Sequence, residues 1–277
     1  MKSQKQLFLD THLLDALVPK DGTDANEYLP YKVTEMLITD PEIAAQQEYA
    51  NNVSIQRLGF NDHGPVHMRT VARNAITMKQ ILQQNNIKTC LETETVGTFE
   101  DSLTAVILAG FLHDLGMSIG RQDHEFYSVT LAMPIIERIL QQVLPGMEHL
   151  EQRTIIRSLA MEGIAGHMGT HRIHSLEAGL ILIADGCDMT KGRARIPMAI
   201  NTDPKQGDIH KYSANSIEKV HISSGEIHPI RIEIQMSSPV GFFQIEEVLI
   251  PKINASPAKP YIELYAGVTG EEVKKYL

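Results

Sequence analysis

Cysteine is scarce in this chain: Cys90 and Cys187 are the only two in 277 residues. Two cysteines build no disulfide framework, and with no cysteine near either one there is no thiolate zinc grip. No stretch approaches the roughly 18 uninterrupted apolar residues that a membrane-spanning helix needs. The opening segment MKSQKQLFLDTHLLDALVPKDG has a short apolar run broken by Asp10, His12 and Asp15, which is no signal-peptide core. A reduced, cytoplasmic protein without membrane association is therefore expected. Positive charge is also in deficit: 25 Lys and Arg stand against 34 Asp and Glu, a formal net charge of −9. That balance argues against a broad nucleic-acid surface, which needs a positive field; a local basic site remains compatible with it. There is no fixed-period repeat and no low-complexity tract. What is present is an ordinary globular composition, 43 % apolar, at a length that suits one large domain or one domain with a small companion.

The patterning is helical over the first two thirds. Residues 1–60 read as polar helices, among them DPEIAAQQEYANNVSIQRLGF, with Asp40 as N-cap, Pro41 at the first helical position and Gly59 at the stop. In NDHGPVHMRTVARNAITMKQILQQNN, Asn61 or Asp62 is expected to cap and Pro65 to open a helix. His67, Val71, Ala75, Met78 and Leu82 then share one buried face. DSLTAVILAGFLHDLG is apolar all round from Ala105 to Leu112, the mark of a central buried helix, with His113 and Asp114 at its end. HEFYSVTLAMPIIERILQQVLPG, HLEQRTIIRSLAMEGIAGHMG and SLEAGLILIADGCDMTKGR read as three further helices, the last capped by Ser175. After KGRARIPMAINTDPKQGD the period changes. PIRIEIQM alternates strictly, EKVHIS and YIELYAGV follow the same rule, and SSPVGFFQIEEVLIPKI between them reads as a helix with Ser238 capping and Pro239 first. The expected fold is mostly α, with an N-terminal helical region at 1–60, a helical core at 61–200 and a small α+β (β-β-α-β) subdomain at 215–277.

The dipeptide His113-Asp114 says little alone, because random order of the chain's 12 His and 13 Asp would produce about half of one such pair; an isolated pair is a helix-end feature. Its setting says more. Eight of the twelve His fall between residues 63 and 174. His67, His113, Asp114, His124, His167 and Asp185 each sit on or beside a helix, and helices that aim such groups inward can hold a metal.

The order His … His-Asp … Asp, carried by HMRTV (His67), LAGFLHDLG (His113, Asp114) and LILIADGCDMT (Asp185), resembles the HD superfamily of metal-dependent phosphohydrolases over residues ~60 to 195. The resemblance implies an HD-type helical bundle and hydrolysis of a phosphate ester through metal-activated water, the substrate being a nucleotide or another small phosphorylated metabolite. His124 and His167 resemble the added ligands of the binuclear branch, in which the Asp of the dipeptide bridges two ions. His171, on the same face as His167 if that segment is helical, stands as an alternative to it. Imidazoles with carboxylates suit one or two divalent transition ions, Fe or Mn first, with Zn, Co or Mg as alternatives. Phosphate also needs side-chain cations. Arg121, Lys191, Arg193 and Arg195 are the candidates, each readable otherwise as a solvated helix end. His63 stands at a helix entry as a phosphate contact or proton donor. Asp188 can share the face of Asp185, and Cys187 reads as a buried filler. The remaining histidines, His174 included, read as solvated. Two rivals stay open: a signalling module that binds metal or nucleotide without turnover, and a di-iron oxygenase on the same scaffold. The partner expected is a small phosphoester, and self-association into a homo-oligomer is left open.

Overall fold

The computed structural model describes residues 2–191 and 209–277. Nine helices precede residue 191 among them. They are α1 (Gln4–Ala16), α2 (Leu29–Thr39), α3 (Pro41–Asn52), α4 (Pro65–Gln84), α5 (Cys90–Glu94), α6 (Phe99–Leu112), α7 (His124–Val143), α8 (Leu150–Gly166) and α9 (Leu176–Cys187). Their starts are written locally. Asp40 accepts from the Glu42 and Ile43 backbone N–H groups to begin α3. Thr98 and Asp101 exchange side-chain and backbone bonds in a capping box that begins α6. Ser175 accepts from Ala178 N–H to begin α9.

The helix α6 is the axis of the molecule. Every residue from Asp101 to Leu112 is buried, with α2, α4, α8 and α9 packed around it. Gly110 allows the closest approach, since a Cβ there would stand 2.7 Å from the Ala72 Cα on α4. That contact brings the end of α6, and with it His113 and Asp114, against the first turns of α4. The stripe His67, Val71, Ala75, Met78 and Leu82 of α4 is buried, as its spacing predicts.

The C-terminal region adds a four-stranded sheet in the order β1 (Ile217–Ser224), β2 (Ile230–Met236), β3 (Ile262–Val268), β4 (Lys274–Lys275). The first pair is antiparallel and the second parallel, with Ile232 opposite both Ile222 and Leu264. The two-residue β4 joins β3 antiparallel, one strand beyond the expected β-β-α-β pattern. Ile230, Ile232, Ile234 and Met236 turn inward and are fully buried in one core with the helices. The fold is therefore mostly α with a C-terminal α+β part. Among the described residues no helix is long and apolar enough to cross a membrane.

Two capping expectations are corrected. Gly64, not Asn61 or Asp62, is the N-cap of α4; Asp62 stands two residues before it, and its carboxylate accepts from Gly64 N–H at 2.8 Å. Ser238 makes no capping bond, and Pro239 opens only a 3₁₀ turn, Pro239–Gly241. The segment then runs as Phe242–Gln244, a π-helical turn Ile245–Leu249 and the helix Ile250–Ala255. Pro251, which has no N–H, interrupts the ladder there.

Candidate metal centre

Five helix ends converge, that of α6 among them. His67 comes from the first turn of α4, His113 and Asp114 from the end of α6, and His124 from the start of α7. His167 closes α8, and Asp185 lies in the last turn of α9. All six are buried. The Nε2 atoms of His67 and His113 are 3.1 Å apart. His67 Nε2 also lies 3.1 Å from Asp114 Oδ2 and 3.2 Å from Asp185 Oδ1. On the other side of Asp114, Oδ1 lies 3.2 Å from His124 Nε2 and 3.3 Å from His167 Nε2, which are themselves 3.0 Å apart.

The protons on these rings are set by their outer partners. The Nδ1 atoms of His113, His124 and His167 meet the backbone carbonyls of Gly110, Arg121 and Ile164 at 3.0, 2.9 and 2.7 Å. A carbonyl only accepts, so each Nδ1 carries a proton, and in the neutral form of such a ring it is Nε2 that is bare and faces the interior. His67 Nδ1 meets Asp188 Oδ2 at 2.7 Å with the same consequence. Four lone pairs thus face one another and two carboxylates, and buried Asp114 Oδ2 receives no hydrogen bond. Without a cation this arrangement is repulsive. Donor atoms 2.1 Å from a shared ion stand about 3.0 Å apart at a right angle and about 3.4 Å apart at a tetrahedral angle. The observed spacings fall in that range. Two overlapping groups, His67–His113–Asp185 and His113–Asp114–His167, bring their donor atoms within 4.8 Å and can hold a metal ion.

In the absence of an ion, burial works to raise the Asp114 carboxyl, but positive charge on the His113 and His63 rings, with hydrogen bonds from His113 and His124, outweighs it and holds it well below the usual carboxylate range. Burial pushes the His167 imidazole down to about 4, so the ring is neutral and free to donate its lone pair at neutral pH.

The other candidates fall into place unevenly. His63 is buried at the entry to α4, with Nδ1 2.8 Å from Ser54 Oγ and its ring 5.8 Å from that of His67. The Arg121 guanidinium rests on Phe60 and the sulfur atoms of Met117 and Met168, while its carbonyl orients His124. Lys191 is exposed. Arg193 and Arg195 lie outside the described residues. Of the two alternatives on α8 and beyond it, His167 faces the cluster and His171 is exposed against Phe126. Asp188 is brought in to orient His67, and Cys187 is a buried filler.

One residue was invisible to motif reasoning. Lys252, on the helix Ile250–Ala255, donates to Asp185 Oδ2 and to the carbonyl of His167. A signal existed: Lys252 stands between Leu249 and Ile253 in an otherwise apolar buried stripe.

No family model matches the chain, and no solved structure matches it. A curated relative does: the uncharacterized protein MJ1020 of Methanocaldococcus jannaschii is 39 % identical over 244 residues, covering 88 % of this chain and 91 % of that protein.

Proposed function

The chain belongs to the family of that archaeal protein, and we propose that it is an HD-type metal-dependent phosphohydrolase acting on a nucleotide or another small phosphorylated metabolite. The observation that carries this reading is the two-sided carboxylate of Asp114. Its Oδ2 faces His67 and His113, and its Oδ1 faces His124 and His167. Such a donor set would hold one or two divalent ions. His67, His113 and Asp185 serve the first position, His124 and His167 the second, and Asp114 both. Imidazole-rich, carboxylate-containing sets suit Fe or Mn, with Zn and Co close behind.

An ion bound there supplies Lewis acidity, which acidifies water and offsets charge developing on a phosphoryl group. The chain's own groups do the rest. The carbonyls of Gly110, Arg121 and Ile164 and the carboxylate of Asp188 hold the four imidazoles in one tautomer. His63 stands beside His67, where it can hand a proton to a leaving oxygen. Arg121, with Lys191, Arg193 and Arg195, is assigned to the substrate phosphate, because guanidinium forks match phosphate oxygens. In this reading residues 61–200 are the catalytic core and residues 215–277 a subdomain.

The test is elemental analysis of the purified protein followed by a phosphoester panel with Mn, Fe, Co, Zn or Mg supplied. A bound transition ion and turnover of at least one nucleotide or phosphorylated metabolite, both lost in Asp114→Ala, is the expected result. A metal-loaded protein that hydrolyses none of them would overturn it. Oxygen uptake by the ferrous form would then point to the oxygenase, and its absence to a binding module.

A further inference from the structure

Among the described residues, a cation reaches the cluster from beyond α9. Lys252 lies 67 positions beyond Asp185, and its Nζ donates to Asp185 Oδ2 and, at 2.9 Å, to the carbonyl oxygen of His167. The other oxygen, Asp185 Oδ1, is the one that faces His67 Nε2 and His113 Nε2, at 3.2 and 3.9 Å. The fold makes room for this lysine. At Gly186 on α9 a Cβ would stand 3.1 Å from Lys252 Cδ. Leu249 and Ile253, on the same face as Lys252, are completely buried. A buried lysine forfeits hydration and rotamer freedom, and a methionine would fill the same space without that cost. The two bonds that the ammonium makes are what offset that cost.

We propose that Lys252 is a positioning residue that sets which ions the centre accepts, by occupying Asp185 Oδ2 so that this carboxylate offers a single oxygen. Its second bond, to the backbone of His167, ties that carboxylate to a donor on the far side of Asp114. Once the lysine's bond to Oδ2 is removed, that oxygen is able to turn towards an ion held at Oδ1. A centre with an added oxygen donor and a higher coordination number favours harder cations, Mn and Ca, over Zn and Co. The loss of one positive charge strengthens attraction for every divalent ion alike, so it does not alter the ratio of affinities. The inference rests on the cluster being a metal centre and is independent of whether that centre hydrolyses phosphoesters.

The experiment is competitive binding of Zn, Co, Mn and Ca to the full chain, with the visible absorption of the Co-loaded protein recorded alongside. In Lys252→Met the Mn-to-Zn affinity ratio should rise about tenfold or more, the order of an outer-partner effect. The cobalt bands should weaken per ion as coordination number increases. Lys252→Arg, which keeps the ion pair, should restore the wild-type ratio and spectrum. In an Asp185→Asn background, Lys252→Met should leave the ratio unchanged. If Lys252→Met does not fold by circular dichroism, Lys252→Gln, neutral and one atom too short for both acceptors, should move the ratio the same way. A folded Lys252→Met or Lys252→Gln with wild-type ratio and cobalt spectrum overturns the proposal while leaving the metal centre standing. So does an equal loss of affinity for all four ions. Wild-type protein that binds none of them removes the metal centre itself, and this assignment with it.

Discussion

Asp188 Oδ2 lies 2.7 Å from His67 Nδ1 across 121 positions of sequence. That bond turns the His67 ring so that Nε2 faces His113, Asp114 and Asp185. Asp188 thus orients a ligand without being one. Asp188→Ala should weaken ion binding by about 10- to 100-fold while leaving every donor in place. Titration with Mn or Co reads the effect; unchanged affinity would mean that His67 is held by its packing alone.

Asp114 serves both sides of the cluster, so its removal should act on both. Asp114→Ala is expected to lower metal content and phosphoester turnover together, measured by elemental analysis and by phosphate release on a single substrate. Full activity in that variant would remove the assigned site.

The acid side of the stability profile follows from His167. Burial holds its imidazole down at about 4, and the neighbouring Asp114 carboxylate only partly opposes this; the unfolded ring titrates near 6.5. Between those values the unfolded chain binds a proton that the folded chain refuses, so stability increases with pH across that window. The contribution is complete above about pH 6.5 and is lost as pH falls towards 4. The urea midpoint of the metal-free protein should therefore be lower at pH 5 than at pH 7, and the difference should shrink in His167→Gln. A midpoint that does not change between those pH values contradicts the assignment.

The groups assigned to substrate should separate from those assigned to metal. Arg121→Ala, Lys191→Ala and Arg193→Ala should each keep the bound ion. At least one of them should lose about 10²–10³ in turnover, the scale of one charge contact made in the transition state. His63→Ala should likewise retain metal and lose about 10²–10⁴ if it transfers a proton. Parallel metal and rate measurements on each variant distinguish this from general damage, in which both fall.

Gly116 carries the turn between His113-Asp114 and α7. A Cβ there would stand 2.0 Å from the His124 carbonyl oxygen, and backbone must move to admit it. Gly116→Ala should destabilise by about 1–3 kcal/mol, the usual scale of overpacking, and should weaken ion binding by displacing His124. Denaturant unfolding and metal titration of the same preparation test the two halves of that statement.

Much of this molecule was legible in its pattern. The buried stripe of α4, the all-apolar α6 and the alternation of β2 are local periodicities, and each element buries the residues its period assigns. His67, His113, Asp114 and Asp185 were legible for the same reason, since each sits where an apolar helix end points inward. Harder to read were features that depend on two elements at once. Ser238 makes no capping bond, and the helix that it was expected to open starts as a 3₁₀ turn and widens into a π-helical turn before Pro251. Among the described residues the assigned donor atoms all come from α4 to α9, yet Lys252 of the C-terminal part grips one of them.

By itself, then, the chain determined its helices, its change of period in the C-terminal third, and the residue types available to hold an ion, because these follow from side-chain chemistry repeated at fixed spacing. Tertiary structure alone decided that His167 and not His171 faces inward, that Asp188 turns His67, and that Lys252 and Asp185 meet. Those are outcomes of how helices approach one another, here through the Gly110–Ala72 contact and the space above Gly186. A distance across 67 or 121 positions is set by packing, which no local period encodes.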